Sequence, residues 1–471
     1  MRMMGPMLRP LLPLLFALAA CAAPHKPVLV QPPDTHHEAP PTFFKNVRVF
    51  DGLDDFLREP MDVLVVGGRV VGLATAGLHP PPANVEVIDG TGRTLMPGLV
   101  DMHVRFGGTD VRWAAGISGP ELQAEALIYS GVTSVITVGH ATDLAALQRA
   151  IADGRVAGPR LHRASRIVAA KGSSAAPDTA GDWVLQPFRT GAEVQEVDSP
   201  LAAARAARRD LEYRDSDYVL VDASSVPAGA PTLDASALKA VVAEAMQYEK
   251  RVYALAAGPE DAARAAEAGV AVLLHAPWES VLTDEQAHRI SFVGTPVVTT
   301  LQAWRHLLES LDGERNLEAL ATDVMRAGQP VGTTGVELPP EARSAAERAV
   351  AAVRENIKRL YENGTPLLVG TGAGTPGVIH GASIHDEMEA LVELGIPPVE
   401  VLHMATSGPV RFLDPTARFG VIAPGAYADL ILVEGDPTLD ITATRRIVGV
   451  WQAGRRLDRR TGDRPAVEAS R

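Results

Sequence analysis

The stretch "LMPGLVDMHVRF", Leu95–Phe106, is an apolar strand that ends in polar side chains. Asp101 and His103 close the strand, and Arg105 follows two residues later. Beyond it, apolar runs alternate with Ala-rich helical runs, as in "GVTSVITV" before "DLAALQRAIADG" and "YVLVDAS" before "DASALKAVVAEAMQYEK". Repeated strand–helix units predict a parallel sheet with helices outside it, most simply a (β/α)8 barrel of the α/β class.

The two ends of the chain have a different pattern from this central part. "FKNVRVFDG" and "MDVLVVGGRVVGLA" precede the barrel segment, while "FGVIAPGAYADLILVEGD" and "RRIVGVWQAGRRL" follow it. These are short β-branched runs broken by Gly-Gly and Asp-Gly, which are strand and turn signals. A length of 471 residues suits one large domain and one smaller one.

Composition excludes one class of partner. Hydrophobic residues make up 46% and charged residues 21%, which is typical of a globular protein, and the formal net charge is -13. Such a chain lacks the basic footprint of a nucleic-acid-binding protein, so we expect no nucleic-acid partner.

The first residues predict a targeting segment. Arg2 and Arg9 precede a short apolar run that ends in "LAAC", with Cys21 the single Cys of the chain. The stretch resembles a bacterial lipobox, which implies cleavage before Cys21, lipidation of its thiol and a membrane-attached protein of the cell envelope. Ala22 in place of Asp favours the outer membrane. A plain secretory signal with an incidental Cys is the alternative.

Several further segments, in a consistent order, resemble the amidohydrolase superfamily, nearest its imidazolonepropionase-like and prolidase-like members. They are "VIDGTGRTLMPGLVDMHV", "SGVTSVITVG", "EAGVAVLLHA", "LLVGTGAG" and "FGVIAPGAYADLILVEGDP". The resemblance implies a barrel plus a small β-sandwich formed by both chain ends. It also implies hydrolysis of C–N bonds in small amides or dipeptides, with one or two divalent metals such as zinc activating a water.

The resulting domain prediction has five parts. They are a signal peptide (1–20), a lipidated Cys and linker (21–42), a composite sandwich (43–97 and 417–458), the barrel (98–416) and a disordered tail (459–471).

The resemblance also implies six metal-ligand positions in this sequence. Nitrogen donors remain at His103 on the first strand and His275 on the sixth. The other four positions have lost their ligands: Arg105, Leu220, Leu255 and Gly372. A catalytic zinc needs three protein ligands. The Arg105 cation would also repel a metal, because like unit charges about 4 Å apart repel by roughly 4 kcal/mol at an effective dielectric of about 20.

Three functional hypotheses follow. The first is an amidohydrolase-like envelope lipoprotein whose hydrolysis is impaired or lost and whose barrel can still bind a small molecule. The second is a working enzyme with a displaced or mononuclear metal site, in which His103 and His275 join His140 or His380 and a carboxylate from a loop. The third is an envelope scaffold or interaction protein. The sequence leaves the oligomeric state open.

The candidate pocket consists of Arg105, His140 and His380. Arg105 either binds an anionic ligand with its forked donors or pairs with a carboxylate such as Asp101. Other mouth candidates are His385, Asp386 and Glu387. The two acids are replacement ligands or, more ordinarily, partners of a helix dipole.

Overall fold

The computed structural model describes residues 39–106, 119–139, 144–173, 194–312, 340–375, 378–413, 418–457 and 459. Its strands are β1 (Thr42–Val49), β2 (Arg58–Val66), β3 (Arg69–Thr75), β4 (Glu86–Asp89), β5 (Arg93–Pro97), β6 (Leu99–Val104), β7 (Val132–Thr137), β8 (Arg160–His162), β9 (Ile167–Ala170), β10 (Val194–Val197), β11 (Val219–Asp222), β12 (Val252–Leu255), β13 (Val272–Leu273), β14 (Val297–Val298), β15 (Leu367–Leu368), β16 (Leu430–Glu434), β17 (Ile447–Gln452) and β18 (Arg455–Leu457).

The helices lie mainly between the strands of the central part. They are α1 (Pro120–Tyr129), α2 (Leu144–Ala152), α3 (Pro200–Tyr213), α4 (Ala235–Gln247), α5 (Pro259–Glu267), α6 (Asp284–Val293), α7 (Leu301–Asp312), α8 (Pro340–Glu362), α9 (Ser383–Glu393), α10 (Pro398–Ala405) and α11 (Ser407–Leu413), with a 3-10 helix at Ile441–Arg445. Local sequence sets several of their starts. For example, the Ser199 side chain accepts a hydrogen bond from the Ala202 amide and Pro200 begins α3.

Eight parallel strands form a closed barrel. β6, β7 and β8 pair in that order, and β11 to β15 pair in sequence. Backbone hydrogen bonds join the two groups, from the Ser165 amide to the Tyr218 carbonyl at 2.9 Å and from the Met102 amide to the Val369 carbonyl at 3.0 Å. Most of the described helices alternate with these strands along the chain, so the predicted (β/α)8 barrel is confirmed.

The two chain ends share one further sheet, with strand order β18-β17-β16-β5-β1-β2-β3 and β4 on β1. A Gly67-Gly68 turn joins β2 to β3, with φ of 57° and 74°, which a two-residue hairpin of the mirror-image type requires. Phe44 meets Trp451 edge to face at 4.8 Å in its core, which lies between strands from opposite ends of the chain. The structure therefore agrees with the predicted β domain built from both ends.

The predicted domain limits themselves stay predictions. The signal peptide, Cys21 and most of the linker lie outside the described residues, as does the tail after Arg459. Arg459 itself donates a hydrogen bond to the Tyr129 carbonyl at 2.9 Å, so the first residue of the predicted tail is held against α1. In the described part of the chain, we find no helix with the length and apolar character that crossing a bilayer requires.

Candidate functional site

His103 lies at the carboxyl end of β6, which is the end of a barrel strand where active sites are built. Its side chain is buried, and its Nδ1 is 2.6 Å from the Leu274 carbonyl oxygen of the neighbouring barrel wall. Because a carbonyl only accepts, Nδ1 carries the ring proton. Burial, with the nearby charges of Arg105 and His275, holds the pKa of His103 well below its usual range, so the ring is neutral.

His275 and Arg105 are close to this imidazole. Burial, together with the Arg105 charge, lowers the pKa of His275 to about 4, and its Nδ1 donates to the Ala276 carbonyl oxygen at 3.2 Å. Burial also lowers the pKa of the Arg105 guanidinium, to about 9, which leaves it a cation at neutral pH. The structure therefore brings His103 and His275, the two predicted metal-ligand positions, together with the Arg105 cation.

The three other positions at which the sequence predicts a lost metal ligand are apolar. Leu220 in β11 is fully buried, and Leu255 at the end of β12 packs against the same apolar cluster. Gly372 follows β15, and its amide donates to the His103 carbonyl at 2.9 Å, which places it beside the first-strand ligand position. The side chains of Leu220 and Leu255 have no nitrogen or oxygen with which to bind a metal, and Gly372 has no side chain.

The other histidines predicted at the barrel mouth are His380, His385 and His140. His380 is buried, and its Nε2 donates to the Arg105 carbonyl oxygen at 2.7 Å, so it supports the end of β6. Burial lowers the pKa of His380 to about 4. His385 bonds Thr444 at 2.9 Å and the Ser130 carbonyl at 3.2 Å, which ties α9 to the 3-10 helix. His140 lies outside the described residues.

A family model for the amidohydrolase family matches residues 94–457, which is most of the chain and all of the barrel described above. The chain belongs to the amidohydrolase family. The match spans the strand that carries His103 and the stretch that carries Gly372, so these positions can be compared with the metal-ligand pattern of the family.

Several solved structures share the fold of this chain. A putative prolidase from Bifidobacterium longum is 23% identical with a TM-score of 0.71, covering 91% of this chain and 97% of that one. A Xaa-Pro dipeptidase with methionine bound in its active site is 24% identical with a TM-score of 0.71, covering 88% of this chain and 99% of that one. A dihydroorotase from Geotalea daltonii is 45% identical over 64 residues, and the chain spans only 14% of its length.

The amidohydrolase metal centre does not fit the described donor set. Within the described ranges, no group of three or more His, Cys, Asp or Glu side chains is placed to hold a metal ion. The neighbouring acid, Asp101, is occupied: its oxygens accept from the Thr371 hydroxyl at 2.6 Å and from the amides of Thr371 and His103. The described residues around His103 therefore do not fit the six-ligand metal centre that the sequence resemblance implies.

Glu387 interacts with the N-terminus of a helix other than its own. It is buried, and its carboxylate accepts hydrogen bonds from the Thr299 hydroxyl and from the amides of Leu301 and Gln302. These amides form the first turn of α7, directly after β14, so Glu387 caps a helix at the barrel mouth. Burial raises the pKa of Glu387 to about 7.

Asp386, the other acid of this pair, faces the opposite side. It forms a salt bridge with Arg445 at 2.6 Å and lies 3.4 Å from His306. It thus joins α9 to the terminal sheet's 3-10 helix. Thr371, which holds Asp101, was missed, because its position in "GTGAG" gives no signal of a long-range partner.

Proposed function

We propose that this amidohydrolase-family protein no longer performs the metal-dependent C–N hydrolysis of its relatives and uses its barrel to bind a small molecule. The relatives that support a C–N bond as the inherited target are the prolidase and the dihydroorotase. The observation that carries the proposal is the donor set. Of the six positions, His103 and His275 keep nitrogen donors, and the other four are Arg, Leu, Leu and Gly.

Electrostatics supports the same conclusion. The Arg105 charge acts on both surviving imidazoles, lowering the pKa of each. A dication bound to those nitrogens would experience the same repulsion. The position of the family's proton-accepting Asp is Gly372, so the chain also lacks a base there to take a proton from water.

Metal analysis of the purified chain tests this proposal directly. We expect no stoichiometric zinc, and no difference in metal content between wild type and His103→Ala. Hydrolysis of N-acyl amino acids, dipeptides and cyclic ureides should stay at the buffer rate. One equivalent of zinc that is lost in His103→Ala, together with turnover of any of these substrates, would refute the proposal.

A second candidate is an active enzyme with a displaced or mononuclear metal. One observation favours it: within the described structure, His103 Nε2 is buried without a hydrogen-bond partner. A buried lone pair is what an absent ligand leaves behind. His140→Ala and His380→Ala separate the candidates, because a displaced site that uses either ring would lose its zinc and its turnover in that variant.

We also propose that the chain is a lipid-anchored protein of the cell envelope, with Cys21 as the acylated residue. Incorporation of a palmitate analogue into wild type but not into Cys21→Ser is the expected result. A scaffold role in the envelope would appear as a partner that co-purifies with the anchored chain equally well from wild type and from His103→Ala.

A further inference from the structure

The barrel exposes large apolar side chains at the end opposite its mouth. Tyr213, Met246 and Phe292 are 80%, 69% and 82% exposed, and they lie in the last turns of α3, α4 and α6. Each of these helices runs antiparallel to the neighbouring strands, so its last turn lies beside their amino ends, whereas the mouth lies at their carboxyl ends. On the mouth side of the described barrel, the exposed large apolar residues are Leu201 and Val281.

The loop between β1 and β2 adds two more apolar side chains at the same end. Leu53 and Phe56 in this loop are 57% and 58% exposed. The loop packs against the start of α11, since a Cβ on Gly52 would lie 3.5 Å from the Cβ of Ser407. Arg251, just before β12, donates to a carbonyl near the end of the same helix at 3.0 Å. The loop and α11 therefore lie at the amino ends of the barrel strands.

The chain also enters the described structure on this side. Thr42, the first residue of β1, pairs near the end of β2, beside the turn to β3. Gly68 of that turn packs against Gly454 in the turn between β17 and β18, because a Cβ on Gly454 would lie 2.8 Å from the Gly68 Cα. Gln452, at the end of β17, donates to the Gly158 carbonyl at 2.8 Å, in the stretch that leads into the amino end of β8.

The position of this entry matters because of the segment before it. Residues 22–38 lie outside the described part of the chain and separate Cys21 from the sheet. Even fully extended, this segment spans at most about 60 Å. A tether of this length keeps the side on which it enters close to the anchor, which raises the effective concentration of that side at the membrane.

The chemistry of this barrel end fits a lipid surface better than a second copy of the chain. Its apolar side chains stand on separate helix ends with polar residues between them, such as the exposed Arg214 and Asp215 after Tyr213. The core of a protein–protein interface is instead a continuous apolar patch. A bilayer surface accepts separate side chains, and a Tyr ring with its polar tip suits the headgroup level.

We propose that the barrel end that exposes Tyr213, Met246 and Phe292 rests on the phospholipid surface that holds the acylated Cys21. This inference rests on the proposed lipid anchor and adds the orientation of the anchored chain. The mouth then faces away from the bilayer, so a ligand reaches it from the aqueous phase.

Two positions on one helix test the orientation. Cys21 is the single Cys of the chain, so after its acylation an introduced Cys is the only free thiol. Tyr213→Cys and Leu201→Cys place that thiol at opposite ends of α3, both at exposed positions, and Phe292→Cys repeats the test on α6. Each acylated full chain is labelled with a fluorescent dye and placed, one chain per nanodisc, in phosphatidylethanolamine and phosphatidylglycerol. We expect brominated acyl chains to quench the dye at positions 213 and 292 about threefold more than at position 201.

Equal quenching at the two ends of α3, or stronger quenching at position 201, would overturn the orientation. A dye at position 213 that is shielded only when two chains share a nanodisc would identify a second copy as the partner, and the lipid contact would then be wrong. A chain that takes up no palmitate analogue refutes the anchor and this inference with it. An acylated chain with equal quenching refutes this inference alone.

Discussion

Asp101 and Thr371 are joined by two hydrogen bonds across the seam where β15 meets β6. The Thr371 hydroxyl donates to Oδ2 at 2.6 Å, and its amide donates to Oδ1 at 2.9 Å. Both residues are fully buried, and burial raises the pKa of Asp101 to about 6 even though these bonds oppose the rise. The pair fixes the strand end that carries His103 against the stretch that carries Gly372.

Thr371→Val should lower the free energy of unfolding by about 2–4 kcal/mol. The change removes the donor to Asp101 and also the acceptor of the Ala373 amide, 3.0 Å away. Urea denaturation measures the loss. Thr375→Val is the matched control, since the Thr375 hydroxyl oxygen is buried without a hydrogen-bond partner in the described residues and should be replaced at little cost. Equal losses in both variants would contradict the role given to the seam.

Asn356→Ala should be destabilising by about 2–4 kcal/mol. Asn356 lies within α8, is fully buried, accepts from the Leu282 amide at 2.7 Å and donates to the carbonyls of Pro277 and Ser280. It therefore fixes the loop that follows His275. Asn363→Ala, just after the same helix and exposed, should change stability by less than about 0.5 kcal/mol in the same denaturation series. An Asn356→Ala protein as stable as wild type would mean that the loop after His275 keeps its conformation without these three hydrogen bonds.

Gly372→Ala should cost more stability than Gly364→Ala. Both glycines have left-handed φ, 70° and 75°, so each alanine pays a similar backbone cost of about 1–2 kcal/mol. A Cβ at Gly372 would also lie 3.1 Å from the Ala303 Cβ, while one at Gly364 would meet nothing within 4 Å. Thermal unfolding of the two variants isolates the contact. A Gly372→Ala protein as stable as Gly364→Ala would show that α7 can shift away from the new Cβ at no cost in stability.

Glu387→Gln should change how stability depends on pH. The folded pKa of about 7 lies above the ordinary 4.5, so the stability due to the protonated form is complete below pH 4.5 and is lost as the pH rises to 7. The variant avoids this loss. The unfolding free energy of Glu387→Gln relative to that of wild type should therefore rise by about 3 kcal/mol between pH 4.5 and 7. Above pH 7 the difference should stay constant.

Glu393→Gln, at the exposed end of the same helix, is the control for this pH series. Urea denaturation of wild type and both variants from pH 4.5 to 8 measures the differences. A Glu387→Gln difference that does not change with pH would show that the buried carboxyl is already ionised at low pH.

The barrel could be predicted from the sequence because strand and helix patterns are local. The alternation of strand and helix patterns from "GVTSVITV" onward can be recognised without knowing any tertiary contact. The tautomer of His103 could not be predicted, because the group that fixes it is a backbone carbonyl 171 residues away in the chain. Every residue has such a carbonyl, so the sequence does not single this one out. The sequence alone does not show which backbone carbonyl the His103 imidazole will bond.

For Asp386 and Glu387, the sequence predicts the kind of interaction but not the partner. An acid in a helix's first turn predicts a partner of that helix's own dipole, and Asp386 and Glu387 stand at such a position. Glu387 does interact with a helix N-terminus, but with that of α7 rather than its own. The kind of interaction was predictable, whereas its target depends on how two helices of the outer ring pack.

Arg105→His separates the two effects that we assign to Arg105, its charge and its lack of a lone pair. The substitution removes the cation and provides a third imidazole beside His103 and His275, the number that a mononuclear zinc requires. We expect zinc affinity to rise at least tenfold over wild type, measured by competition with a chelator dye. Arg105→Gln removes the charge without adding an imidazole, so it should show only a small part of that gain. If Arg105→Gln binds zinc as tightly as Arg105→His, charge alone excludes the metal. If neither variant gains, the strand end places position 105 too far from the two imidazoles for it to be a ligand.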